Sequence, residues 1–91
     1  MALIIEKKKH TMGKEAARKA AEEIAEDIGE KLSAKYHWDG DHLRFERSGA
    51  GGFIHVTDDE VRVEVKLALM LRPLKGTVES RIRRYMDEKL K

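Results

Sequence analysis

Apolar residues along this chain recur at one of two spacings, and the points where the spacing changes mark the boundaries of its elements. From Met12 to about Ser33 they fall at Ala17, Ala20, Ala21, Ile24, Ala25, Ile28 and Leu32. These steps of three and four form one stripe of an amphipathic helix, and charged residues from Lys14 to Lys31 occupy the other side. The stripe is rich in alanine, so the helix axis can approach a layer of larger residues closely. Gly29 costs about 1 kcal/mol of helix propensity relative to alanine and predicts a frayed or bent last turn. Ahead of this helix, Leu3 to His10 predicts a first strand, and Thr11 is the predicted cap, its hydroxyl accepting from a free N–H of the first turn.

From Ala34 onward the period falls to two. Tyr36 and Trp38 alternate with Lys35 and His37, and Asp39-Gly40 predicts a tight hairpin turn. Leu43 and Phe45 alternate with His42, Arg44 and Glu46 in the next strand; Ser48 to Gly52 predicts a flexible turn, and Phe53 to Thr57 a further strand. The longest strand is expected over Val61 to Leu71, with Val61, Val63, Val65, Leu67, Leu69 and Leu71 on one face. Pro73 ends it. Leu74, Val78, Ile82, Tyr85 or Met86, and Leu90 then predict a second amphipathic helix, with Gly76 delaying its start.

The expected architecture is a single α+β domain over residues 1–91, in the order β-α-β-β-β-β-α. An antiparallel sheet carries both helices on the face of Leu43, Phe45, Ile54, Val56 and the Val and Leu row. The first strand is expected at an edge of the meander, and the pattern does not say which.

Composition narrows the function classes. At 91 residues there is one core and little apolar material for a deep enclosed site, because a domain this small buries only about 60–65% of its unfolded surface. A shallow binding surface is expected in place of an active site, and the chain is read as non-enzymatic. Nineteen Lys and Arg nearly cancel 17 Asp and Glu, leaving a formal charge of +2, without the large positive excess that drives sequence-independent nucleic-acid binding. Lys7, Lys8 and Lys9, with Arg81, Arg83 and Arg84, form an alternative basic surface for a regulator that contacts nucleic acid. Glu6, Glu79 and Asp87 lie beside these runs and favour an ordinary solvated face.

The absence of cysteine excludes disulfides, thiol nucleophiles and cysteine-based metal sites. The apolar start, Met1 to Ile5, meets Glu6 and three lysines at once, far short of the roughly 18 apolar residues of a membrane span or the 7 to 15 of a signal core. The chain is expected in the cytoplasm. His37-Trp38-Asp39-Gly40-Asp41-His42 gathers two histidines and two carboxylates, but Asp and Gly are what a hairpin turn needs and the spacing fits no calcium or zinc motif. Gly49-Ala50-Gly51-Gly52 lacks the lysine-bearing helix start of a phosphate-binding loop. No serine lies in a nucleophile motif. No catalytic residue, metal or cofactor is expected.

In Leu67-Ala68-Leu69-Met70-Leu71 strict alternation fails and the outward positions also become apolar. With the strand reading above, Ile4, Phe53, Ala68 and Met70 share the face away from the helices as an apolar interaction surface. It suits a homodimer or a hydrophobic partner, unless a loop or the first strand already covers it. A small hydrophobic-ligand carrier with a cleft between helices and sheet is a further reading, supported only by fold analogy.

Four stretches in this order resemble a known family: the Ala- and Glu-rich helix Lys14 to Leu32, the run Tyr36 to Phe45, the turn Arg47-Ser48-Gly49, and Leu71-Arg72-Pro73-Leu74-Lys75-Gly76. The chain resembles the small polyhydroxyalkanoic acid system proteins of proteobacteria, sometimes described as granule-region proteins. The resemblance implies a role in storage-polyester metabolism, with the polyhydroxyalkanoate granule or a granule-associated protein as partner. It carries no catalytic residues across. The sequence lacks the long, wholly amphipathic helices of abundant granule-coating proteins.

Overall fold

The computed structural model describes residues 2–90. Five strands, β1 (Ala2–Lys9), β2 (Lys35–Asp39), β3 (His42–Arg47), β4 (Ala50–Val56) and β5 (Glu60–Leu67), form one sheet. Two helices, α1 (Lys14–Leu32) and α2 (Lys75–Lys89), pack on one side of it. The sheet order is β1-β5-β4-β3-β2 with every neighbouring pair antiparallel. β1 therefore lies at the edge beside β5, eight residues in register from Ala2↔Leu67 to Lys9↔Glu60. α1 carries the chain across the sheet to the opposite edge, and the meander from β2 to β5 returns it to β1. The α+β class and the element order are those expected from the sequence.

Period two sends alternate residues to opposite faces. Ile4, Leu43, Phe45, Ile54, Val56, Val61, Val63, Val65 and Leu67 all point to the helix side and are essentially inaccessible to water. Over them lies the α1 stripe predicted from its spacing, Ala17 to Leu32, followed by Val78, Ile82 and Met86 of α2. Leu90, just past α2, closes the core.

Several local expectations are corrected. The helix cap is Gly13, at φ 86°, and not Thr11. Gly29 does not fray the helix, which runs on to Leu32. It is buried, and a Cβ there would sit 3.0 Å from the Ala34 carbonyl oxygen, so the close crossing of the chain below it accounts for glycine. The last turn ends on Ser33 in the left-handed conformation, and Arg47 donates from Nη1 to the free Leu32 carbonyl at 2.6 Å. Gly51 and Gly52 belong to β4 and not to a turn: Gly52 pairs with Phe45 on one side and Val65 on the other. A Cβ at Gly52 would run into the Glu64 backbone carbonyl, so only glycine permits this strand approach.

β5 stops at Leu67, four residues earlier than the pattern suggests. Leu69–Leu74 forms a 3-10 helix with Pro73 inside it, and α2 begins at Lys75 without waiting for Gly76. A residue period of three puts Leu71 and Leu74 on one side. Both are partly buried against the core, and Leu69 and Met70 are left outside.

One histidine is structural. His10 is 4% exposed and joins the end of β1 to the β4–β5 turn. Its Nδ1 accepts from the Met12 N–H at 3.3 Å, which leaves the proton on Nε2, and Nε2 donates to the Thr57 carbonyl at 3.1 Å. Its own N–H donates to the Asp59 carbonyl.

Candidate interaction surface

The helices cover one face of the sheet and leave the other bare. Side chains on the bare face form three cross-strand rows, fixed by the pairing registers. The first row, from β1 to β2, is Leu3, Lys66, Gly51, Glu46 and Lys35. Ile5, Glu64, Phe53, Arg44 and His37 follow, and then Lys7, Arg62, His55, His42 and Asp39. The apolar members lie toward β1 and the centre: Leu3 and Ile5 are 46% and 45% exposed, and Phe53 is half-buried between Glu64 and Arg44.

Around Phe53 the rings are ordered. His42 meets its edge at 5.3 Å between centroids and stacks on His55 at 4.2 Å, the two imidazoles being nearly parallel. Arg44 is drawn aside by Asp39, its Nε donating to Oδ2 at 3.1 Å. Because Gly51 contributes no side chain to this face, a depression of about 350 Å³ opens next to Phe53, with Arg44, Glu46, Glu64 and Lys66 around it. Its chemistry is an aromatic wall, a backbone floor and charges of both signs, which suits docking of a partner side chain.

The residues expected to form one apolar surface are not brought together. Ile4 is fully buried on the helix side; one residue of register decides this, and it puts Leu3 and Ile5 on the bare face instead. Phe53 is where it was expected. Ala68 and Met70 lie beyond the end of β5 around the 3-10 segment, close to Gly49 and not in a row with Phe53. Met70 is 74% exposed and Leu69 72%. Leu3 and Ile5 were missed because alternation alone does not say which parity of β1 faces inward, and Leu69 because the strand was read on to Leu71 with Leu69 in its inner row.

The alternative basic residues scatter too. Lys7 and Lys9 lie on the bare face, whereas Lys8 pairs with Asp87 at 2.9 Å. Arg81 pairs with Asp27 at 3.4 Å, and Arg83 reaches Glu6 at 2.5 Å and Glu79 at 3.7 Å. The Glu6 carboxylate beside Arg83 raises the guanidinium above its ordinary value. Arg84 borders a shallow depression on α2 with Thr77, Ser80 and Arg81. Lysines on the exposed β1 edge also discourage pairing with another chain.

The histidine-rich hairpin is held to α1. The Arg18 guanidinium lies 3.8 Å from the Trp38 ring centroid and donates from Nη1 to the Gly40 carbonyl at 3.0 Å; Trp38 Nε1 donates to Glu22 at 2.6 Å. Asp41 receives Lys14 at 2.7 Å and Arg18 at 3.3 Å. The hydrogen bond from Lys14, helped by the charges of Lys14, Arg18 and His55 and opposed by desolvation, holds the Asp41 carboxyl below its ordinary value. Among the described residues no group of three or more His, Cys, Asp or Glu side chains could hold a metal ion. A wider depression of about 600 Å³ lies between the ends of the helices and β2. Glu23, Glu26, Asp27 and Glu30 line it with Tyr36, Tyr85 and Lys89, so acidic side chains predominate there.

A family model described as "Putative polyhydroxyalkanoic acid system protein (PHA_gran_rgn)" matches residues 4–90. The chain belongs to this polyhydroxyalkanoic acid system family. The match runs from Ile4 in β1 to Leu90 just past α2, so Ile5, Phe53 and the exposed 3-10 segment fall within the family's extent and Leu3 lies just before it. No curated protein and no solved structure matches this family member. Among its described residues no helix is long and apolar enough to cross a membrane.

Proposed function

We propose that this protein is a non-enzymatic accessory protein of polyhydroxyalkanoate metabolism, and that it works at the storage granule by docking a hydrophobic or protein partner on the bare face of its sheet. The observation that carries this reading is the half-exposed pair Leu3 and Ile5 on β1, with Phe53 across β5 on the same face, on a sheet whose other face is largely covered by the two helices. Burying a large apolar side chain gains about 1.5–3 kcal/mol, so three such side chains left near water favour a partner that covers them. The family membership supplies the metabolic setting. The non-enzymatic part rests on the sequence, which offers no nucleophile motif and no cysteine.

Sedimentation over a concentration range, with and without isolated polyhydroxyalkanoate granules, tests the proposal. Co-sedimentation that survives high salt and is lost in Phe53→Asp, with circular dichroism and melting temperature unchanged, is the expected result. A concentration-dependent dimer lost in the same variant would assign the face to self-association. A monomer that ignores granules and granule-associated proteins would overturn the reading.

A further inference from the structure

The 3-10 segment between β5 and α2 displays two large apolar side chains where a short polar connection would suffice. Leu69 and Met70 are 72% and 74% exposed, more than any other large hydrophobic among the described residues. Their display is built in. Leu71 and Leu74 anchor the segment against the core, the Leu71 N–H donates to the Ala68 carbonyl at 2.9 Å, and the Ala68 N–H donates to the Gly49 carbonyl at 2.7 Å. The backbone is thus fixed from both sides while Leu69 and Met70 point out.

Charge around this pair is one-sided. No acidic residue occurs between Glu64 and Glu79, in a chain with 17 of them, whereas Lys66, Arg72 and Lys75 all fall in that interval. Among the described residues Lys66 and Arg72 make no ion pair, and Lys75 has only a loose one with Glu79 at 3.9 Å. An apolar pair flanked along the chain by cations, two of them without an ion pair, is complementary to an interface with an apolar interior and an anionic surface. The pair is also too small for a stable protein interface, which needs about 800 Å² from each partner.

We propose that this segment is a peripheral anchor: Leu69 and Met70 insert among the acyl chains of an anionic lipid layer while Lys66, Arg72 and Lys75 meet its headgroups. This site lies past the end of β5 and shares only Lys66 with the bare face, and the test uses variants that leave Lys66, Phe53, Leu3 and Ile5 in place.

The full chain is sedimented with phosphatidylglycerol-rich vesicles and with pure phosphatidylcholine vesicles. Expected is partition onto the anionic vesicles that weakens about tenfold in each of Leu69→Ser and Met70→Ser and about fivefold in Arg72→Gln, with unchanged melting temperature. Raised salt weakens it further. In Met70→Trp the new indole should be quenched by brominated acyl chains, while Trp38 in the parent protein is not. Absence of partition, partition indifferent to Leu69→Ser and Met70→Ser, or a dimer that Met70→Ser dissolves would each overturn the proposal. Loss of partition in Phe53→Asp would also overturn it, because the bare face would then be the contact.

Discussion

The two faces of one sheet are built from the same strands and serve opposite ends. On the helix side β3, β4 and β5 present Leu43, Phe45, Ile54, Val56, Val61, Val63, Val65 and Leu67, each excluded from water. On the other side every strand except β4 carries charges, and oppositely charged residues meet across strands, as in Lys35↔Glu46 and Lys9↔Glu60. Within that charged field the apolar residues Leu3, Ile5 and Phe53 stand out because cross-strand charge pairing does not account for them. An apolar residue on the covered face is explained by the core; the same residue on the bare face calls for a partner.

Mutations that treat the faces in parallel test this difference, and the largest effect is expected at the two phenylalanines. Phe45→Ala should cost about 3–5 kcal/mol of unfolding free energy by emptying the core, while Phe53→Ala should cost about 1 kcal/mol or less and act instead on partner binding. Equal losses in urea unfolding would mean that Phe53 is core and would remove the bare-face reading. The edge strand allows a comparison between neighbours. Ile4→Ala should destabilise by about 2–5 kcal/mol and Ile5→Ala by about 1 kcal/mol or less, and a reversed order in chemical denaturation would mean that β1 sits one residue out of register.

Gly52→Ala should cost about 1–3 kcal/mol, because the added methyl collides with backbone that is itself held in the ladder. Its effect should appear in amide exchange of β4 and β5 before the helices respond. The smallest effect is expected at Asp41. Its carboxyl is held below 3.8 when folded, so the stabilisation it supplies is complete above that value and is lost as pH falls through the lower folded one. Asp41→Asn should remove this acid-side component of the stability curve, and a carbon-13 titration of the Asp41 carboxyl reads the sign directly. A folded value above 3.8 would mean that Lys14 and Arg18 do not engage it in solution.

The strongly periodic segments were legible before any coordinates. α1 is read from seven apolar positions on one stripe, and the hairpin from Asp39-Gly40, with Gly40 at φ 63°. Legibility failed where period and packing disagree. Leu67 to Leu71 alternates well enough to pass for strand, yet the ladder with β4 stops at Ala50↔Leu67, where the β3–β4 turn carries its partner away and the Ala68 N–H bonds the Gly49 carbonyl. From there the chain turns into the 3-10 segment and exposes Leu69 and Met70. Gly51 and Gly52 look like turn residues because glycine usually marks turns, and only the close approach of β5 reveals why a strand needs them.

By itself the sequence determined the element types, the order β-α-β-β-β-β-α, the face on which the meander meets the helices, and the family, since all of these follow from local periodicity and from the order of motifs along the chain. Tertiary structure alone decided the edge at which β1 joins, the parity that buries Ile4 and exposes Leu3 and Ile5, and the dispersal of the basic residues among separate ion pairs. The reason is physical: helix and strand periods are set by backbone geometry within a few residues, whereas register and charge pairing depend on groups tens of residues apart that meet only once the sheet has closed.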